Sequence, residues 1–164
     1  MASIIKVDTI QTAAGGTPSL SDLGIATTGT GKLLQVVQTV TNSEVSVTST
    51  SFTDTGYAIS ITPQSSSSSI LVMLTGGRVV TGTAGVHVQV RRGSTELSSN
   101  NIQRTGFANG GEQFPLSYAI LDTSHGTTSA LSYKVYAAST SGGSVAFNNG
   151  ANQNFAITAM EIAG

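Results

Sequence analysis

The sequence predicts an all-β fold: an antiparallel β-sandwich, jelly-roll-like, with an extended N-terminal arm. Apolar and polar residues alternate in eight or nine short runs, which is the period of a half-buried strand. Turn-forming residues separate the runs at the spacing of about 8 to 12 residues that is typical of sandwiches and barrels. No stretch of ten or more residues has helical periodicity. We therefore divide the chain into an arm, residues 1–31, and a β-sandwich domain, residues 32–164.

The arm has too few apolar residues to bury a core of its own. Gly15, Gly16 and Pro18 break it into short pieces. We predict that the arm takes its shape on the surface of a partner. The apolar residues expected to make this docking contact are Ile4, Ile5, Val7, Ile10, Leu20 and Leu23.

The domain opens with two alternating runs, residues 34–40 and 44–49. Asn42 and Ser43 lie between them, and turn residues at this place predict a hairpin. The later strands are predicted at residues 57–61, 70–74, 86–90, 116–120, 131–135, 145–147 and 154–162.

Two of these runs are apolar on both faces, which is typical of strands inside a covered sheet. The first, residues 70–74, is followed by Gly76 and Gly77, which are expected to form a bulge or a bend. The second is the run 154–162. We expect one of its walls to come from the sandwich and the other from another copy of the chain, so that Met160 is buried in the assembled protein.

The composition excludes several classes of protein. Charged residues make up 9%, with seven Lys and Arg against eight Asp and Glu, so the chain lacks the positive field that nucleic acids require. The nearly neutral surface favours packing against copies of the same chain. There is no cysteine for a disulfide or a thiolate metal site. No apolar run approaches the roughly 20 residues of a membrane helix, so membrane insertion is not expected.

Several passages resemble a known group of proteins. The opening IIKVDTIQTAAGGTPSLSDLGI resembles the start of virion proteins of marine bacteriophages, cyanophages above all, in which a KVDTIQT-type arm precedes β domains. The segments SFTDTGYAISITPQSSSSSILVMLTGG, LSYAILDTSHGTTSALSYKVYAAS and ITAMEI are similar to the small β domain that often follows that arm. The resemblance implies a tail-fibre or similar appendage protein, commonly trimeric, that docks on the particle by its arm and has no catalytic residues.

Two short motifs imitate catalytic or nucleotide sites. Residues 29–32 read Gly-Thr-Gly-Lys, but the flanking glycine and the Ser or Thr of a phosphate loop are absent. Asp122, Ser124 and His125 are the residue types of a hydrolase triad, yet neighbours in one turn do not line up as nucleophile, base and orienting group. We interpret Asp122, Ser124 and His125 as parts of a solvated loop. We predict no catalytic residues and no cofactor for the chain.

The remaining polar candidates are interpreted as structural. His87 and His125 are too few for a metal site within one chain, although a threefold axis would bring three copies of one of them together. His87 is predicted to be a satisfied surface histidine, and no metal site is predicted. Arg91 and Arg92 alternate between faces, so one of them needs a partner, which is expected to be a glutamate, Glu96 or Glu112.

The irregular span 98–113 is the candidate for surface recognition. Loops on a rigid β scaffold often bind ligands, and planar polar groups beside an aromatic ring suit a sugar. An ordinary long loop, or a contact between subunits, is the interpretation that we favour for this span. The possible receptor contacts are Asn100, Gln103, Arg104, Phe107 and Asn109.

The leading functional hypothesis is a non-enzymatic virion structural protein, a tail fibre or short appendage, that forms a homotrimer and contacts other virion proteins through its arm. One alternative keeps the virion but places the protein on the capsid, as a decoration or head-fibre protein. A third hypothesis is a host-surface carbohydrate-binding module. An enzyme is the least favoured class, because no pair of carboxylates stands out as acid and base.

Overall fold

The computed structural model describes residues 31–97, 102–104, 112–150 and 153–164, and within these ranges the fold is two packed antiparallel sheets without a helix. The first sheet has six strands: β1 (Leu33–Thr41), β2 (Val45–Val47), β4 (Ser69–Thr81), β8 (Glu112–Asp122), β10 (Val145–Phe147) and β11 (Phe155–Ile162). The second has five: β3 (Thr53–Ile61), β5 (Val86–Arg92), β6 (Thr95–Glu96), β7 (Ile102–Arg104) and β9 (Leu131–Ser139). The predicted all-β sandwich is therefore confirmed.

Strands that are distant in sequence lie side by side in both sheets. The six-stranded sheet has the order β1-β11-β4-β10-β2, with β8 on the other side of β4. The five-stranded sheet has the order β3-β9-β5-β6, with β7 also paired to β5. The chain thus passes repeatedly from one sheet to the other, and this order is compatible with the expected jelly roll.

The core lies between the two inner faces and follows from the period of two. In β11 the inward residues Phe155, Ile157 and Ala159 are at most 2% exposed, and in β4 Val72 and Leu74 are fully buried. Full burial of one such large apolar side chain contributes roughly 1.5–3 kcal/mol. The predicted alternation therefore correctly identified the residues that hold the sheets together.

The hairpin predicted at Asn42 and Ser43 is wrong. Thr41 is opposite Phe155, and Val45 is opposite Phe147, so the chain continues in the same direction along its neighbours instead of reversing. Residues 42–44 form a bend that joins β1 to β2. Asn148 stabilises this bend, because its Nδ2 donates to the carbonyl oxygens of both Thr41 and Ser43 at 3.2 Å.

The bulge predicted at Gly76 and Gly77 is confirmed. Both residues have positive φ, 78° and 64°, and the register between β4 and β8 shifts between Gly76 and Val79. A Cβ on Gly77 would lie 2.8 Å from Asn148 Oδ1 and 3.2 Å from the Phe155 ring. The backbone there needs glycine both for its conformation and for space.

A buried ion pair joins the two sheets at one end of the sandwich. Arg92 on β5 contacts the Asp122 carboxylate at 2.5 Å, and the Tyr133 hydroxyl donates to the same Asp122 oxygen at 2.8 Å. The prediction that Glu96 or Glu112 pairs with Arg91 or Arg92 is therefore wrong for Arg92. Asp122 is 2% exposed, so interpreting it as part of a solvated loop is also wrong.

A second buried carboxylate, Glu161 on β11, holds the serine-rich loop that precedes β4. Its side chain accepts hydrogen bonds from the backbone N–H groups of Gln64 and Ser65, from Ser68 Oγ and from Gln35 Nε2, at 2.6–3.1 Å. Burial alone would raise the pKa of Glu161, but these hydrogen bonds outweigh it and lower the pKa. The same balance lowers the pKa of Asp122, where Tyr133, Ser124 and Arg92 donate.

We expect the protein to lose stability in acid. Both carboxyl groups have folded-state pKa values below their ordinary values of 4.5 and 3.8, so their stabilisation is present above about pH 4.5 and is lost as pH falls through the lowered values. Urea unfolding is expected to give a lower free energy of unfolding at pH 3 than at pH 7. Glu161→Gln should be less stable at pH 7 and less sensitive to acid, and an unchanged pH dependence in this variant would contradict the assignment.

Candidate functional site

The outer face of the six-stranded sheet is the most unusual surface in the described part of the chain. Residues that point away from the core on β1, β11, β4 and β8 lie opposite one another in regular rows. We define the apolar outer face by three of these rows. They are Val36, Met160, Leu71 and Leu121; then Gln38, Thr158, Met73 and Ala119; then Val40, Ala156, Thr75 and Ser117.

The first row is apolar across four strands. Val36 pairs with Met160, Met160 with Leu71, and Leu71 with Leu121. Val36 and Leu121 are each 49% exposed, whereas Leu71 and Met160 are half-buried by their neighbours. Because neighbouring strands lie about 5 Å apart, these four side chains form a continuous band across the sheet.

The other two rows are mixed but uncharged. In the middle row Gln38 Nε2 donates to Thr158 Oγ1 at 3.0 Å, so these polar groups pair with each other within the face. Met73 continues that row, and Val40, at the end of the third row, is 53% exposed. No member of the three rows is charged.

All four of the large apolar residues that are exposed in the described ranges belong to this side of the molecule. Three of them are members of the rows, and the fourth, Leu33, pairs with Ile162 just beyond the first row. Four strands and three rows cover roughly 400 Å² from strand spacing and rise alone. This area is uncharged but only partly apolar, because Gln38, Thr158, Thr75 and Ser117 belong to it. A patch of a few hundred Å² is the largest on a typical monomer and is often functional.

The outer face of the five-stranded sheet has the opposite character. Lys134 Nζ forms an ion pair with Asp54 at 2.8 Å, and the Arg91 guanidinium lies 4.3 Å from the centre of the Tyr136 ring. His87 is on this polar side, as predicted, and its buried Nε2 has no hydrogen-bond partner among the described residues. The chain therefore has one polar outer face and one apolar outer face.

The residues predicted to contact a partner or a receptor lie mainly outside the described ranges. This holds for the docking residues Ile4, Ile5, Val7, Ile10, Leu20 and Leu23, and for Asn100, Phe107 and Asn109. Gln103 and Arg104 belong to β7, where the register places Gln103 opposite His87 and Arg104 opposite Val86. The register therefore places both residues beside β5 in the five-stranded sheet.

The polar groups around His125 do not form a nucleophilic site. His125 is 8% exposed, and its Nε2 lies 2.7 Å from the Ser68 carbonyl oxygen and therefore donates a proton there. The Ser68 hydroxyl is 3.3 Å from the same nitrogen and 2.7 Å from Glu161 Oε1, to which it donates. A nitrogen that already carries its proton is not a base for that hydroxyl, so the geometry is that of a structural network.

Two features are absent from the described residues. No three His, Asp or Glu side chains there come close enough together to hold a metal ion. The same ranges contain no helix with the length and apolarity needed to span a membrane.

Comparisons with known proteins do not place the chain in a family. No protein-family model matches the sequence, and no curated protein matches it. Among solved structures, dimeric latent PorU from Porphyromonas gingivalis is similar to 82% of this chain at 10% sequence identity, with a TM-score of 0.38. The similar region spans 14% of the PorU chain.

Proposed function

We propose that the protein is a non-enzymatic structural component of a bacteriophage virion, a tail fibre or short appendage, that assembles as a homotrimer and docks on the particle by residues 1–31. The observation that supports assembly is the apolar outer face of the six-stranded sheet. The resemblance of the opening KVDTIQT segment to virion arms supports the location and the trimer.

A copy of the same chain is the partner that fits this face best. The three rows have no charge with which to attract or orient a charged partner, and seven basic against eight acidic residues produce little repulsion between copies. The rows supply about half of the roughly 800 Å² per partner that a standard interface buries. Residues around the rows, among them Leu33 and Ile162, would contribute the rest.

The junction between arm and domain also fits docking by the arm. The Gly31 N–H donates to the Ala163 carbonyl at 2.8 Å, and the Ala163 N–H donates to the Lys32 carbonyl at 2.8 Å. These bonds fix the end of the arm beside β11, at the margin of the apolar outer face. Because this junction is fixed, a virion protein that binds the arm would have a defined orientation relative to the sandwich.

Deletion of residues 1–31 tests the docking role. Because the described core and the apolar outer face lie in residues 32–164, the truncated protein is expected to stay folded and oligomeric while losing incorporation into particles. Immunoblotting of purified particles measures incorporation, and size-exclusion chromatography with light scattering measures assembly. A double variant, Ile4→Asp with Val7→Asp, keeps the length of the arm and should show the same loss. Normal incorporation of the truncated protein would refute docking by the arm.

A further inference from the structure

Two strands, β1 and β8, lie at opposite margins of the six-stranded sheet beside the apolar outer face. Within the described ranges β1 pairs with β11 alone, and β8 pairs with β4 alone. One side of each strand therefore has no backbone partner in those ranges. The N–H and C=O groups on such an edge are a template for pairing with a strand of another chain.

Neither edge carries the features with which soluble proteins usually prevent this pairing, which are charged side chains, proline, bulges and very short strands. Residues 36–41 of β1 and 116–121 of β8 contain no charged residue and no proline. The register of β1 shifts earlier, between Leu33 and Gln35, and β8 meets the β4 bulge and Pro115 before it reaches Leu116. Each margin thus offers six regular residues, about 20 Å of strand.

The side chains at both margins are incompletely covered. Val36 and Val40 on β1 are 49% and 53% exposed, and Leu121 on β8 is 49% exposed. Tyr118 and Ile120 point inward from β8 and pack against the core, yet they are only half-buried, whereas their partners on β4 are fully buried. The five-stranded sheet therefore does not fully cover β8, and apolar area at this margin remains for a neighbouring strand to bury.

The directions of the strands allow the two margins to join. β1, β11, β4 and β8 are antiparallel from each strand to the next, so β8 runs opposite to β1. When copies are related by an axis parallel to the strands, β8 of one copy and β1 of the next run in opposite directions, as an antiparallel ladder requires. A closed ring of copies joined in this way leaves neither edge unpaired. Pairing of β8 with β8 across a twofold axis would leave both β1 edges open.

We propose that β8 of each copy pairs with β1 of the next copy, so that the six-stranded sheets of three copies form one closed ring with their apolar outer faces toward the threefold axis. This inference rests on the proposed homotrimer and identifies the surfaces that join its subunits. The backbone hydrogen bonds of the two ladders fix the orientation of neighbouring copies, which the uncharged rows alone would not do.

Disulfide cross-linking of the full-length chain tests the pairing, because the chain contains no cysteine of its own. Leu121→Cys is combined in turn with one of three positions on the same outer face of β1, since the stagger between strands of a closed ring decides which of them lies opposite. The three are Val36→Cys, Gln38→Cys and Val40→Cys. Within one copy, residues 121 and 36 are three strand spacings apart, about 15 Å, whereas the Cα atoms of a disulfide lie within about 7 Å. A cross-link therefore has to join two copies.

We expect at least one of the three double variants to give bands of two and three linked chains on non-reducing electrophoresis, and no longer species. Leu121→Cys alone, and Leu121→Cys with Ser132→Cys on the polar outer face, should remain single chains. Dimers of Leu121→Cys alone would show that β8 pairs with itself and would overturn the ring.

Sedimentation equilibrium of the same variants under reducing conditions separates this inference from the proposed function. A mass of three chains without a cross-link in any of the three double variants would overturn the pairing of β8 with β1 and leave the homotrimer standing. In that case another segment, such as residues 1–30, would cover the edges. A mass of one chain would overturn both the ring and the homotrimer.

Discussion

A Met160→Asp variant is expected to be a folded monomer. Met160 lies at the centre of the apolar row, between Val36 and Leu71, and points away from the core. In the free chain a carboxylate at this place reaches water, so the sandwich should keep its fold. In the proposed oligomer the same carboxylate would be buried without a partner, which costs several kcal/mol and is enough to separate most non-covalent assemblies.

Size-exclusion chromatography with light scattering measures the mass of this variant, and circular dichroism measures its fold. Ser132→Asp is the matched control. Ser132 is an exposed residue of β9 and lies opposite Ser60 of β3, and both strands belong to the five-stranded sheet. This control adds the same charge to the polar outer face and should leave the oligomer intact. An oligomeric Met160→Asp variant would exclude the apolar outer face as the interface.

An Ile157→Asp variant is expected not to fold at all. Ile157 is 1% exposed, on the inner face of β11, between Thr39 of β1 and Leu74 of β4. A carboxylate there has no water and no cation, and the penalty of several kcal/mol is comparable with the total stability of about 5–15 kcal/mol of a domain. Circular dichroism should show no cooperative unfolding transition. Ile157→Val, which removes one methylene, is expected to cost only about 0.5–1.5 kcal/mol and to fold.

The two aspartate variants together test the register of β11. Met160 and Ile157 are three residues apart on one strand and point to opposite faces, so a register slip of one residue would exchange their environments. If Met160→Asp did not fold and Ile157→Asp folded normally, the inner and outer faces of β11 would be exchanged relative to this description.

Local alternation in the sequence was sufficient to predict the fold class, because each strand carries its own period of two. The apolar nature of both faces of residues 154–162 also predicted that β11 lies centrally and that its outer side needs a further cover. The hairpin at Asn42 and Ser43 failed for a physical reason. Turn-forming residues permit a reversal, but the direction of the chain is decided by pairing with β10 and β11, more than 100 residues away.

The buried polar groups were predicted least well. One of Arg91 and Arg92 was expected to pair with Glu96 or Glu112, whereas Arg92 pairs with Asp122, which is 30 residues away and is brought to it by the packing of the two sheets. Glu161 was not singled out, although a glutamate between Met160 and Ile162 in an apolar strand indicates a buried carboxylate that needs several donors.

Sedimentation equilibrium of the unmodified full-length chain tests self-association through the apolar outer face most directly. The mass of one chain is 16.6 kDa. We predict a species of three times this mass, stable over the loading concentrations used and replaced by a single-chain species in Met160→Asp. A mass of one chain at every concentration would contradict the proposed assembly.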